Sequence, residues 1–153
     1  MDMYKTWVSF YTIVRKEIDR FMRIWTQTLL PSAITTTLYF IIFGAFIGSQ
    51  VADIEGYSYM AFIVPGLIMM TVLTNSYSNV VSSFFGMKFM RTVDELLVSP
   101  TPNWVILVGW CIGGLVRGIL VGVIVTIISL LFVPLSIFSI YIVILFVLLT
   151  SIV

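Results

Sequence analysis

Four runs without a single charged side chain, residues 24–52, 56–87, 96–116 and 118–153, set the terms for this sequence. Each is longer than the ~18–20 residues that cross a hydrocarbon core of about 30 Å. Each is apolar on every face, so a helix built from it has no side to turn toward water. The chain of 153 residues is 60% hydrophobic and only 10% charged, whereas a soluble domain carries roughly a quarter of its residues charged. The solvent for these runs is lipid. The expected fold is an all-α membrane protein, with an amphipathic interfacial helix at the N-terminus and about four transmembrane helices.

The same composition excludes most chemistry. There is no histidine and one cysteine, Cys111, inside an apolar run. An internal disulfide is impossible, and a His/Cys metal site has no ligands, so no metal is expected. Cys111 is expected to be a small helix-packing residue. No nucleophile–base pair or paired carboxylate suggests an enzyme. No G-x-x-x-x-G-K-[ST] loop is present, so the chain is not expected to bind ATP in that manner or to carry a cofactor. The net charge of +1 says nothing about partners, and no nucleic acid is expected among them.

Residues 1–25 form the first unit. They carry five basic and three acidic side chains and lack the compact apolar core of a cleavable signal peptide. Trp7, Tyr11, Val14, Ile18, Phe21, Met22 and Trp25 recur at helical spacing. Lys5, Thr12, Lys16, Asp19, Arg20 and Arg23 fall on the opposite side, with Arg15 among the same basic residues. Such a helix lies in the membrane interface, with Trp7, Arg15, Lys16, Arg20 and Arg23 as its anchors, or packs on a partner's surface.

The first span is expected at 31–48, behind Pro31-Ser32, with Thr35, Thr36, Thr37 and Tyr39 turned toward other helices. The loop 49–58 has Asp53 and Glu55 but no basic residue. Basic residues are retained inside, which places the N-terminus in the cytoplasm. The second span, 59–84, contains Pro65-Gly66, where a helix loses a backbone donor. It also carries Thr71, Asn75, Ser78, Asn79 and Ser82 at helical spacing, either as glue between helices or as the lining of a pathway. The third span is expected at 103–133 and the fourth at 137–153, ending while still apolar.

The third span holds Gly109 and Gly113 four apart, and Gly114, Gly118 and Gly122 in a second series. Small residues let helix backbones approach closely in lipid; a backbone-lined groove is the other reading. Arg117 is the only charge within the spans. It serves either as a snorkelling anchor near the inner boundary or as a buried partner for another helix or an anionic substrate.

Between the second and third spans lies KFMRTVDELLVSPTPNW, residues 88–104, cytoplasmic by parity. Four of the chain's fifteen charges fall in its first eight positions. On a helix, Lys88, Arg91, Thr92, Asp94 and Glu95 share one arc, and Phe89, Met90, Val93, Leu96 and Leu97 the other. Pro100 and Pro102 stop the helix from running into the next span. An ordinary interfacial loop helix fits these facts as well as a docking element.

The segments YSYMAFIVPGLIMMTVLTNSYSN and RTVDELLVSPTPNWVILVGWCIGGLVRG resemble the membrane subunits of ABC-2 type transporters, the permeases related to polysaccharide, Nod-factor and drug efflux systems. The resemblance covers essentially the whole chain. It implies that residues 85–102 form a coupling helix seated in a separate ATP-binding subunit, which holds the ATP and Mg. Lys88, Arg91, Asp94 and Glu95 would contact that ATPase, and Phe89, Val93 and Leu97 would anchor the helix. Two permease copies, two ATPase subunits and an inner-membrane location follow from the same resemblance. Asn75, Ser78, Asn79 and Arg117 become candidates for the translocation path. The family's membrane domain has six spans, so about four are expected to be its first part, C-terminally incomplete. The function implied is export of an amphipathic, lipid-, polysaccharide- or drug-like substrate. A small oligomeric pore or scaffold without ATP coupling, or a non-functional fragment, is the alternative.

Overall fold

A computed structural model describes residues 3–48 and 58–132. Every element among them is helical. In order these are α1 (Met3–Arg23), α2 (Trp25–Thr28), α3 (Leu30–Ile41), a π-helical turn (Ile42–Ile47), α4 (Tyr59–Phe89), α5 (Thr92–Val98) and α6 (Asn103–Phe132). Three stretches are long and apolar enough to cross a membrane: Trp25–Gly44, Tyr59–Phe89 and Asn103–Phe132. The acidic loop at 49–57 and the fourth span expected at 137–153 lie outside the described residues.

Local sequence explains where the helices break. Pro31 sits in the first turn of α3, where its missing N–H would be unpaired anyway. The helical bonds continue across the preceding turn, with Leu29 N–H donating to Trp25 O and Ala33 N–H to Leu29 O. Pro65 stands inside α4, whose helix nevertheless continues for 31 residues, about 46 Å. It therefore extends five residues beyond the expected end at 84 and takes up Lys88 and Phe89. The stop comes at Arg91, the one non-glycine residue with positive φ among those described (φ 57°, ψ 14°). A left-handed residue reverses the chain within a single position. α5 then ends at Ser99, whose hydroxyl donates to Leu96 O at 2.6 Å, ahead of Pro100.

Two compact units divide the chain. One comprises Met1–Ile24 and Thr74–Arg117, and holds α1, the C-terminal half of α4, α5 and the N-terminal half of α6. Here α4 and α6 run antiparallel, with Phe84 edge-on to Trp110 at 5.4 Å between ring centroids. The other comprises Trp25–Leu73 and Gly118–Val153. Its core is Phe40 and Val64, packed with Met60, Ala61, Leu67, Ile68 and Ile128, and Phe40 meets Phe132 at 5.7 Å. Gly122 faces Val72 there, and a β-carbon on it would stand 2.6 Å from the valine methyl. Thr126 and Ser129 donate to carbonyls on their own helix, which removes the need for a polar partner in lipid. Of the threonine patch in the first span, Thr36 is buried, while Thr35 and Tyr39 are exposed on the chain.

Candidate functional site

The connection between α4 and α6 exposes a cluster of apolar side chains in the first unit. Phe89, Met90 and Val98 are each more than three-quarters exposed, and Leu97 more than half. Val93 and Leu96 are half-buried, and α5 buries no residue fully. Asp94 and Glu95 occupy its first turn, where the helix N-terminus favours negative charge. The left-handed Arg91 changes the geometry expected from sequence. Lys88 and Phe89 end α4, whereas Val93, Asp94, Glu95 and Leu97 belong to α5, so these residues do not share one helical arc. A bend of this kind places two short apolar ends, Phe89–Met90 and Leu97–Val98, on either side of a charged turn.

A second constellation lies under α1. Ile13, Glu17 and Phe21 are spaced four apart and form the stripe with which α1 packs against α4 and α6. Glu17 and Phe21 are almost wholly buried, each 1% exposed. Packing is permitted by missing side chains on α6. A β-carbon at Gly109 would come within 2.6 Å of Ile13, and one at Gly113 within 2.6 Å of Glu17 Cβ. Gly114 serves α4 in the same way, with Val80 and the Ser76 carbonyl at 2.6 and 2.8 Å from such an atom. Glycine is present at these three positions because the neighbours are too close for anything else. Gly118 is buried as well.

Burying Glu17 as an isolated charge would cost several kcal/mol. It is compensated on both oxygens. Ser83 Oγ donates to Oε1 at 2.7 Å, and Arg20 Nη2 donates to Oε2 at 3.0 Å. The same Arg20 nitrogen reaches Asn79 O and Oδ1, each at 3.1 Å. Arg117 Nη1 approaches Asn79 Oδ1 from α6 at 3.4 Å. With donors on two sides, the Asn79 oxygen must face them, and its amide nitrogen points toward Gly113, 3.8 Å from where a β-carbon would be. A contact from Lys16 Nζ to Met87 Sδ at 3.6 Å continues the α1–α4 seam.

This arrangement adds detail to the sequence reading of α1 and of the polar stripe. Arg20 was expected on the outer polar face; it turns inward because Glu17 and Asn79 supply three acceptors there. Glu17 and Ser83 carry no signal in a polar-versus-apolar pattern. The periodicity i, i+4, i+8 through Ile13, Glu17 and Phe21 is the one clue, and it reads as an apolar stripe interrupted by an acid. The stripe on α4 splits: Asn75 and Asn79 point inward, with Ser83 from outside the stripe beside them, while Ser78 and Ser82 are exposed. Arg117 engages another helix through Asn79. Trp7 is exposed, as are Arg15, Lys16 and Arg23, and Arg15 pairs with Asp19 at 3.7 Å. Cys111, expected to pack against a helix, is exposed on the chain, because the packed face of α6 passes through Val105, Gly109 and Gly113.

Residues 8–153 match the family model of the ABC-2 type transporter. The chain belongs to the ABC-2 type transporter family. It is 60% identical over 137 residues to the inner membrane transport permease YadH of Escherichia coli K12, an alignment covering 90% of this chain and 54% of that protein. YadH from Escherichia coli O157:H7 and from Shigella flexneri match to the same extent. The chain thus spans about half the length of the curated relatives it matches. No solved structure matches it. For an ABC-2 type chain, the exposed bend between α4 and α6 and the polar knot holding α1 are the two features that rise above helix packing.

Proposed function

We propose that this chain belongs to an inner-membrane transport permease that works with a separate ATP-binding subunit. The observation that carries the reading is the exposed segment Lys88–Val98 within a chain of this family. Its apolar ends, Phe89, Met90, Leu97 and Val98, have no cover of their own, and its charges, Arg91, Asp94 and Glu95, cluster between them. A surface of apolar anchors with a charged turn suits a soluble partner that must be held in one register, since charge complementarity fixes orientation more than affinity. On this reading ATP closure on the partner displaces α5, and the spans follow as rigid bodies.

The N-terminus and α5 lie on the cytoplasmic side, a placement supported by five basic residues in the first 23 positions and none in 49–58. Two permease copies and two ATPase subunits make up the transporter, and its cargo is an amphipathic lipid-, polysaccharide- or drug-like molecule moved outward. The test is extraction of the protein from membranes with its ATPase, comparing wild type with Arg91→Ala/Glu95→Ala. Loss of the ATPase from the complex, or hydrolysis no longer stimulated by the permease, is the expected result. Unchanged association and unchanged stimulation refute the docking role.

A further inference from the structure

The polar knot under α1 does not balance. Arg20 and Arg117 bring two positive charges to Asn79, and Glu17 brings one negative. Among the described residues no carboxylate pairs with Arg117, and the remaining described acids are spent elsewhere: Asp19 pairs with Arg15, and Asp94 and Glu95 are exposed on α5. Asn79 is fully buried. Its amide nitrogen, and the Nε atoms of Arg20 and Arg117, are buried and meet no acceptor among the described residues. The Ser76 hydroxyl one turn earlier on α4 is in the same position. Buried donors with one surplus positive charge are costly unless an anion accepts from them.

The knot also has an approach. Arg20 is about a third exposed, and it lines an open groove of about 670 Å³ along α1 beside Arg15, Lys16 and Arg23, with Asp19 as the only acid among the lining residues. Next to this cationic face, α1 exposes Trp7, Tyr11 and Met22. The helix therefore has three faces: one packed on α4 and α6, one aromatic and one cationic. Aromatic and cationic faces side by side match the boundary between acyl chains and headgroups.

We propose that Arg20 and Arg117 form a seat for the phosphate of an anionic phospholipid, with Arg15, Lys16 and Arg23 drawing the headgroup toward it. An oxyanion accepts from several N–H groups at once, which is what paired guanidinium groups supply. The surplus charge selects an anionic lipid over a zwitterionic one. This seat is independent of any ATPase, so its success or failure leaves the docking proposal untouched.

The experiment measures retention of phosphatidylglycerol against phosphatidylcholine on the purified full chain, by native mass spectrometry and by the lipid-dependent rise in unfolding temperature. Wild type is expected to prefer phosphatidylglycerol roughly tenfold, as one charged hydrogen bond gives. Arg117→Gln leaves the Glu17–Arg20 pair neutral and paired, so it folds and loses the preference. Glu17→Gln retains an acceptor for Ser83 and raises the surplus charge from one to two, so the preference grows. A purely structural knot moves both variants in the same direction, and that result overturns the seat. A preference surviving Arg117→Gln overturns it also. If inorganic phosphate stabilises the protein as well as phosphatidylglycerol does, the lipid assignment falls and a soluble oxyanion takes its place.

Discussion

Replacing Gly113 with alanine tests whether α1 is held as closely as the polar knot requires. The new β-carbon would stand 2.6 Å from Glu17 Cβ and 3.2 Å from its Cγ, against about 3.5–4.0 Å for carbon atoms in contact. Relief needs a shift of about 1 Å between α1 and α6. A shift of that size by α1 stretches the Arg20–Asn79 bonds from 3.1 Å beyond hydrogen-bonding range. Overpacking costs about 1–3 kcal/mol, and a lost bond to a charged group about 1.5–3 kcal/mol. Since the protein takes the cheaper combination of strain and displacement, about 2–4 kcal/mol is expected in total. The control is within the same chain: a β-carbon on Gly86 of α4 meets nothing within 4 Å. Gly86→Ala should be neutral or stabilise by up to about 1 kcal/mol, from helix propensity and a stiffer unfolded chain. Thermal unfolding in detergent should place the two variants roughly 5–15 °C apart, with Gly113→Ala also releasing α1 to protease. Equal unfolding temperatures, or a less stable Gly86→Ala, refute the close approach of α1 and α6.

Glu17→Ala takes the counter-ion from Arg20, which keeps its bonds to Asn79, and leaves Ser83 without its acceptor; it should cost about 1.5–3 kcal/mol, and the double variant Glu17→Ala/Arg20→Ala less than the sum of the singles, measured in a double-mutant cycle. Arg91→Gly removes a left-handed strain of about 1–2 kcal/mol and should be at least as stable as wild type by thermal unfolding, whereas the β-branched Arg91→Val should expose the α4–α5 bend to limited proteolysis. Cys111 in folded, detergent-purified protein should react with a maleimide, while a cysteine placed at the fully buried Val105 in a Cys111→Ser background should stay unlabelled.

Much of the helical architecture was legible because its cause is one-dimensional. A run of uncharged residues needs lipid wherever its neighbours lie, and three such runs stand among the described residues as helices long and apolar enough to cross a membrane. The bend was legible only in part. Pro100 and Pro102 state where α5 must stop, but nothing in Met90-Arg91-Thr92 announces a left-handed arginine, since glycine or asparagine is the usual occupant. The helix therefore seemed to include Lys88 and Phe89. The knot was least legible. Its members come from positions 17, 20, 79, 83 and 117, and each has an innocent reading by itself: an acid on an amphipathic helix, a stripe of serine and asparagine, an arginine near a boundary. Only packing decides that Arg20 turns in while Arg15 and Arg23 stay out.

The two features share one body, and this bears on how α5 could drive the spans. α1 touches α4 at Met87, Ser83 and Asn79 through Lys16, Glu17 and Arg20, a ladder covering the last two to three turns before the bend. α6 joins the same ladder at Gly109, Gly113 and Arg117. A force applied to α5 enters α4 at Phe89, two residues beyond the first rung, and enters α6 at Asn103. If the ladder holds, both helix ends and α1 move together; if it is cut, the displacement is absorbed by bending α4 near Asn79. On the proposed docking reading, Asn79→Ala should therefore leave ATPase binding at α5 intact while lowering transport per ATP hydrolysed. A variant at α5 lowers both. Transport per ATP that is unchanged by Asn79→Ala would mean that α1 steadies the fold without carrying force.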